Sequence, residues 1–102
     1  MIKINGEDYT LKYNLGRMEM IETATGKPFM AEVAGNQAMM SLRNLKTYFA
    51  YGLKKAGEDS FVSPKEGLGL AEKVIEEMGY ISANQIVMAQ IQKDCPFFFR
   101  SV

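Results

Sequence analysis

Helix-start and helix-stop signals divide most of this chain into short segments, and they constrain its fold more than any other feature. Asn14 can cap a periodic segment that Gly26 ends, and Pro28 prevents that helix from continuing. Residues 63–66 combine a serine N-cap, a proline at the first helical position and the glutamate of a capping box. Gly79 ends this helix. The signals predict a chain built mainly of helices.

The longest periodic segment is predicted to be a central helix that begins at Asn36 and ends at Gly57. Its buried face would be formed by residues at spacings of three and four, namely Leu42, Leu45, Phe49 and Leu53. Lys54 and Lys55 would then lie in the last turn, where the helix dipole favours positive charge. The stretch at residues 29–35 is predicted to be a turn or a half-helix.

Two helices are predicted after the central one, and the first of them is the helix that Ser63 caps. The apolar face of the helix capped by Ser63 would consist of Leu68, Ala71, Ile75 and Met78, with Val74 beside them. Gly67 and Gly69 each cost this helix about 1 kcal/mol relative to alanine, which would let its first turns fray. The last helix is predicted to begin at a capping box that Ser82 opens and to end before Pro96.

The first 13 residues have a different pattern, in which apolar side chains alternate with polar ones. Ile2 and Ile4 are separated from Tyr9, Leu11 and Tyr13 by a segment that begins Asn-Gly, the favoured pair for a type I′ hairpin turn. The predicted fold class is therefore mainly α: an N-terminal β-hairpin followed by about four helices, or α+β by strict count. Within a single domain at 1–102, the hairpin takes 1–13, the helices 14–95 and an apolar tail 96–102.

Composition limits the partners and the compartment. Twelve Lys and Arg residues balance twelve Asp and Glu residues, so no field attracts nucleic acid or an anionic membrane, and weak repulsion between copies favours a homo-oligomer. The single cysteine, Cys95, cannot form an internal disulfide. No signal peptide and no apolar run of about 18 residues is recognisable. These features predict a cytoplasmic protein that uses neither a membrane nor nucleic acid.

Few residues are suited to catalysis. The chain has no histidine, and Cys95 lies next to Pro96 and three phenylalanines, so an activated thiolate is not expected. The carboxylates at helical spacing are expected to form solvated faces; they are Glu19 with Glu22, and Glu72 with Glu76 and Glu77. Gly67-Leu68-Gly69 lacks the context of a phosphate-binding loop. We predict no enzyme activity, no metal and no cofactor.

The chain is instead rich in apolar residues suited to binding other proteins, with eight methionines, six phenylalanines and five tyrosines. Tyr48 and Tyr51 flank Phe49, so at least one of the two tyrosines must leave the buried face of the central helix. The terminal phenylalanines either fold back over the core or face outward. The predicted partner-binding residues are Tyr48, Tyr51, Met39, Met40, Phe97, Phe98 and Phe99.

Three sequence elements, taken in order, resemble a known family. A hairpin ends in Leu-Lys-Tyr at 11–13, a helix carries Met-Ile-Glu at 20–22 followed by Thr-Gly-Lys at 25–27, and a later helix ends Ala-Tyr-Gly-Leu at 50–53. This order and spacing resemble the tail assembly chaperones of long-tailed, siphovirus-type bacteriophages and prophages.

The resemblance implies a non-enzymatic, self-associating protein that holds the tape measure protein and recruits tail tube subunits in the cytoplasm of the bacterial host. Such a protein would be absent from the finished virion. Two alternatives remain open on the residues. One is a homodimeric adaptor or regulatory domain, and the other is a small-ligand-binding or enzymatic helical domain that uses Glu22, Glu72 or Tyr51.

Overall fold

A small antiparallel sheet packs beside a group of helices in the computed structural model, which describes residues 1–35 and 37–100. In this part of the chain the three strands are β1 (Ile2–Ile4), β2 (Glu7–Leu11) and β3 (Leu53–Lys55). The α-helices are α1 (Leu15–Thr25), α2 (Phe29–Val33), α3 (Leu42–Gly52), α4 (Pro64–Met78) and α5 (Tyr80–Asp94). A 3-10 turn at Pro96–Phe98 follows. The predicted fold class, mainly helical α+β, is confirmed.

The N-terminal hairpin forms as its turn residues predict. Asn5 and Gly6 have φ angles of 53° and 81°, which a type I′ turn requires and which Asn and Gly tolerate. The register pairs Ile4 with Glu7 and Ile2 with Tyr9. Ile4 and Tyr9 are buried, so one face of the hairpin contributes to the core.

The central helix is shorter than predicted at both ends. It begins at Leu42, where the hydroxyl of Ser41 accepts a hydrogen bond from the backbone of Asn44 at 3.1 Å. Asn36, the predicted start, lies outside the described residues. Gln37 and Ala38 have φ angles of 55° and 63°, which a right-handed helix does not allow. The predicted start is therefore wrong for the residues that follow it.

The predicted end of this helix at Gly57 is also wrong, because the chain turns into a third strand. Leu53 pairs with Leu11, and Lys55 pairs with Tyr9, so β3 covers the free edge of β2. Lys54 and Lys55 accordingly lie in a strand and not in a last helical turn. Lys55 forms an ion pair with Glu7 at 3.0 Å. Backbone pairing with the hairpin outweighs the local helical pattern here.

Helices α3 and α4 run antiparallel in close contact. Lys46 lies 3.2 Å from Glu72, whereas Gly67 packs against Ala50 further along α3. A Cβ atom added to Gly67 would lie 2.6 Å from the carbonyl oxygen of Ala50. The residue that sequence reasoning treated as a helix-weakening glycine is thus the contact point between the two helices.

This contact rotates α4 away from its predicted orientation. Its buried residues are Gly67, Leu70, Ala71 and Val74. Leu68, predicted to be core, is 39% exposed, while Ile75 and Met78 are only partly buried. The cap itself is confirmed, since the hydroxyl of Ser63 accepts a hydrogen bond from the backbone of Glu66 at 3.2 Å.

Helix α5 begins earlier than the capping box at Ser82 predicts. Gly79, with a φ angle of 89°, ends α4 and also serves as the N-cap of α5, so that α5 starts at Tyr80. Asn84 is buried on this helix and accepts a hydrogen bond from the backbone of Met40 at 3.0 Å. Its amide nitrogen donates to the carbonyl of Ala38 at 2.8 Å. The connection before α3 is therefore held by α5.

Asp94 joins the end of α5 to the end of the hairpin. Its carboxylate accepts hydrogen bonds from the backbone of Tyr13 at 3.0 Å, from Lys12 at 3.3 Å and from Gln90 at 2.9 Å. Burial acts to raise the pKa of Asp94, but these hydrogen bonds outweigh it and lower the pKa below its ordinary value of 3.8. The ionised carboxylate therefore stabilises the folded chain.

Two glycines of α4 allow a matched test of the helix contact. Gly67→Ala should destabilise the protein by about 1–3 kcal/mol, because the new methyl group meets the backbone of Ala50. Gly69→Ala should stabilise it by about 0.5–1 kcal/mol, because no atom lies within 4 Å of the added Cβ and alanine favours the helix. Urea unfolding measures both. Equal effects of the two substitutions would contradict the close packing.

Asp94→Asn should lower the free energy of unfolding at pH 7 by about 1–3 kcal/mol, because the charge-assisted hydrogen bonds are weakened. The pKa of Asp94 is lower in the folded chain than in the unfolded chain, so its ionised carboxylate stabilises the fold at pH values above the pKa of the unfolded state. This stabilisation is lost as the pH falls through the pKa of the folded state. The difference between the variant and the unmodified chain should therefore shrink below about pH 4. Thermal unfolding at several pH values would measure it, and a constant difference would argue against the charge.

Candidate protein-binding surface

Two of the predicted partner-binding residues are core residues. Tyr48 and Met40 are 0% and 1% exposed, so a partner can reach neither in the folded chain. Burial raises the pKa of Tyr48, and its ring lies 6.1 Å from that of Phe29. Met39 is partly buried with its sulfur 3.5 Å from the amide nitrogen of Asn84. Burial removes Tyr48 and Met40 from the candidate surface.

The terminal phenylalanines divide between the two orientations that the sequence left open. Phe98 folds back, with its ring 4.7 Å from that of the fully buried Phe29. Phe97 and Phe99 remain 41% and 44% exposed. Met30, next to Phe29 in the chain, is 48% exposed. This terminal aromatic cluster is both a cover for the core and an apolar surface.

A longer apolar surface lies between α3 and α4, and we call it the α3–α4 groove. Its α3 wall carries Leu42, Arg43, Lys46 and Tyr51. Its α4 wall carries Leu68, Glu72, Ile75 and Glu76. Two hollows of about 380 and 320 Å³ share Arg43 and Lys46 and together make up this groove, and Ala24 of α1 also lines the smaller one. From Arg43 to Tyr51 the wall is about 12 Å long, which is about two turns of helix.

The rotation of α4 creates this groove. Because Gly67 turns inward against Ala50, Leu68 turns outward and Ile75 lies at the margin of the core. Leu42 at the start of α3 is 58% exposed. Residues that the sequence assigned to the core thus line a solvent-facing surface. Gly67, a small residue within a helix, is the feature of the sequence that could have indicated this orientation of α4.

The two walls carry opposite charges. Arg43 and Lys46 lie on α3, and Glu72 and Glu76 lie on α4. Lys46 and Glu72 form an ion pair at 3.2 Å across the groove. Among the described residues, Arg43 and Glu76 form no ion pair within the chain. The groove therefore offers one positive and one negative group that a partner can pair with.

Tyr51 is held in place at the far end of the groove. The side chain of Arg17 donates a hydrogen bond to the carbonyl of Tyr51 at 2.8 Å. The guanidinium lies 4.0 Å from the ring centre of Phe61 and 5.5 Å from that of Tyr51. Burial lowers the pKa of Arg17, partly offset by Tyr51. This packing fixes one end of the groove without the help of a partner.

The polar residues singled out for chemistry do not meet at one site. Glu22 lines a separate open hollow with Glu19 and Lys27, and its carboxylate accepts a hydrogen bond from the backbone of Phe29 at 2.7 Å. Glu72 is paired with Lys46, and Tyr51 lies at the other end of the groove. Glu22 therefore has a structural role at the start of α2.

Cys95 is buried, and burial raises its pKa. Within residues 1–35 and 37–100, no three His, Cys, Asp or Glu side chains come together as a metal site. None of the described helices is both long and apolar enough to cross a membrane.

The arrangement suits protein binding by apolar contact with charged margins. In comparisons with known proteins, the chain matches no family model, no curated protein and no solved structure. The groove, the terminal aromatic cluster and the sequence resemblance are therefore the features that bear on function.

The terminal phenylalanines should differ in their effect on stability. Phe98→Ala should lower the free energy of unfolding by about 1–3 kcal/mol, because it removes the ring that covers Phe29. Phe97→Ala should lower it by less than Phe98→Ala does, because the Phe97 ring is 41% exposed and packs on Phe98 at 4.8 Å. Denaturant unfolding of both variants makes the comparison. A larger loss from Phe97→Ala would mean that the tail packs in another way.

Proposed function

We propose that this chain is a non-enzymatic tail assembly chaperone of a siphovirus-type phage or prophage. It binds the tape measure protein in the cytoplasm of the bacterial host, helps recruit tail tube subunits and is left out of the finished virion. The observation that carries the proposal is the α3–α4 groove, which combines exposed apolar residues with charged margins, as surfaces that bind amphipathic helices do.

Two of the three elements that carry the resemblance are in contact, which supports the proposal. Tyr13, the last residue of Leu-Lys-Tyr, donates a hydrogen bond to the carbonyl of Tyr48 at 2.8 Å. The ring of Tyr13 covers Gly52, where an added Cβ would lie 2.6 Å from it. The first and third of these motifs thus meet at Tyr13 and Gly52.

The physical basis of the chaperone role is the exposure of apolar side chains on a neutral domain. A long helical client presents apolar faces that would otherwise aggregate, and many bound copies of a small domain can cover them. Leu42, Leu68 and Phe99 are large apolar side chains available for such contacts. The balanced charge of the chain limits repulsion between neighbouring copies on one client.

A second candidate function is a homodimeric adaptor. The oppositely charged walls of the groove favour it, because a twofold axis would bring the α3 wall of one copy against the α4 wall of the other. The adaptor would form a dimer without any client. The two functions therefore differ in what occupies the groove.

Co-expression with the tape measure protein encoded nearby in the genome, followed by pull-down and a solubility assay, tests the proposal. The unmodified chain should keep the client in solution. Leu42→Glu should reduce the bound client several-fold, because it places a charge on the apolar α3 wall. Leu15→Glu is the matched control, since Leu15 and Leu42 are the first residues of capped helices and are 61% and 58% exposed.

An insoluble, unbound client would overturn the chaperone proposal. Equal loss of binding in both leucine variants would place the client elsewhere on the molecule. A discrete dimer that Leu42→Glu dissociates in the absence of client would establish the adaptor instead.

A further inference from the structure

We infer that the α3–α4 groove takes one amphipathic helix of the client whose two flanks carry opposite charges. This inference rests on the proposed function and names the chemistry that its binding surface recognises. The acidic flank of the client helix would face Arg43, and its basic flank would face Glu76.

The shape of the groove indicates a single helix. Two antiparallel helices enclose a concave channel, which one convex helix fills as a third member of a bundle. The length of about 12 Å corresponds to roughly two turns, so apolar anchors at i, i+4 and i+7 of the client would reach from Leu42 to Leu68.

The charges at the margins provide specificity. Lys46 and Glu72 already neutralise each other at 3.2 Å, which leaves Arg43 and Glu76 as the groups that select the flanks of a bound helix. A helix with two acidic flanks would oppose Glu76, and a helix with two basic flanks would oppose Arg43. A mixed-flank helix satisfies both walls, and like charges at an interface disfavour the other two.

Three synthetic peptides of about 18 residues, long enough to form helix, test this inference. All carry leucine on one face, and their flanks are mixed Glu and Lys, Glu on both sides, or Lys on both sides. Fluorescence anisotropy at low salt should show the mixed peptide binding about three- to tenfold more tightly than either of the others. The difference should decrease as salt screens the exposed charges.

A charge reversal on α4 should then change the order of the peptides. Glu76→Lys makes both margins positive, so the peptide with Glu on both flanks should become the tightest binder. Glu77→Lys is the matched control, because Glu77 is the next residue on the same helix, is exposed and does not line the groove. It should leave the order unchanged.

The inference is overturned if Glu76→Lys leaves the order unchanged or if Glu77→Lys alters it in the same way. It is also overturned if sedimentation velocity finds a dimer that Leu42→Glu dissociates, since a second copy would then fill the groove. A client that stays in solution while the peptide order does not change would leave the chaperone role standing without this specificity. If Glu76→Lys changes the order of the peptides as expected but the client stays insoluble, the helix-binding site is supported and the chaperone role is not.

Discussion

The contact between Gly67 and the backbone of Ala50 sets the distance between α3 and α4 and the rotation of α4 about its axis. The α3–α4 groove follows from this contact. With no side chain at residue 67, the two helices approach closely, and Leu70, Ala71 and Val74 turn into the core. Leu68 must then point outward. The glycine that weakens α4 in isolation is what lets it pack, because tertiary contact outweighs helix propensity.

Polar side chains accept hydrogen bonds from backbone N–H groups in the irregular segments that connect the helices and strands. Asn84 binds the segment before α3, Asp94 binds the end of the hairpin, and Glu22 binds the start of α2. Each satisfies backbone groups that would otherwise be unpaired in or near the core. These residues fix the frame around the groove, and none of them needs a catalytic role to account for its position.

The groove and the terminal aromatic cluster differ in kind. In the cluster, Phe98 packs against Phe29 of the core, whereas Phe97 and Phe99 are partly exposed. One short segment therefore both stabilises the fold and presents apolar side chains to solvent. In the groove, apolar residues line a channel whose walls carry opposite charges. A surface of this second kind can select a partner by charge as well as by shape, which a patch of phenylalanines alone cannot do.

Local signals in the sequence determined the hairpin turn at Asn5-Gly6, the helix caps at Asn14 and Ser63, and the helix stops at Gly26 and Gly79, because these depend on the conformation of a few adjacent residues. Composition also led us to predict protein binding and to single out the terminal phenylalanines, and both remain predictions. The third strand, the burial of Tyr48 and Met40, and the outward rotation of Leu68 were decided only by the tertiary structure. Each of these depends on contact with a segment distant in the chain. Leu53 pairs with β2, the ring of Phe29 lies near that of Tyr48, and Asn84 of α5 binds the backbone of Met40. Gly67 packs against Ala50. Periodicity shows that a helix has an apolar face, but only the neighbouring element determines which part of that face is buried.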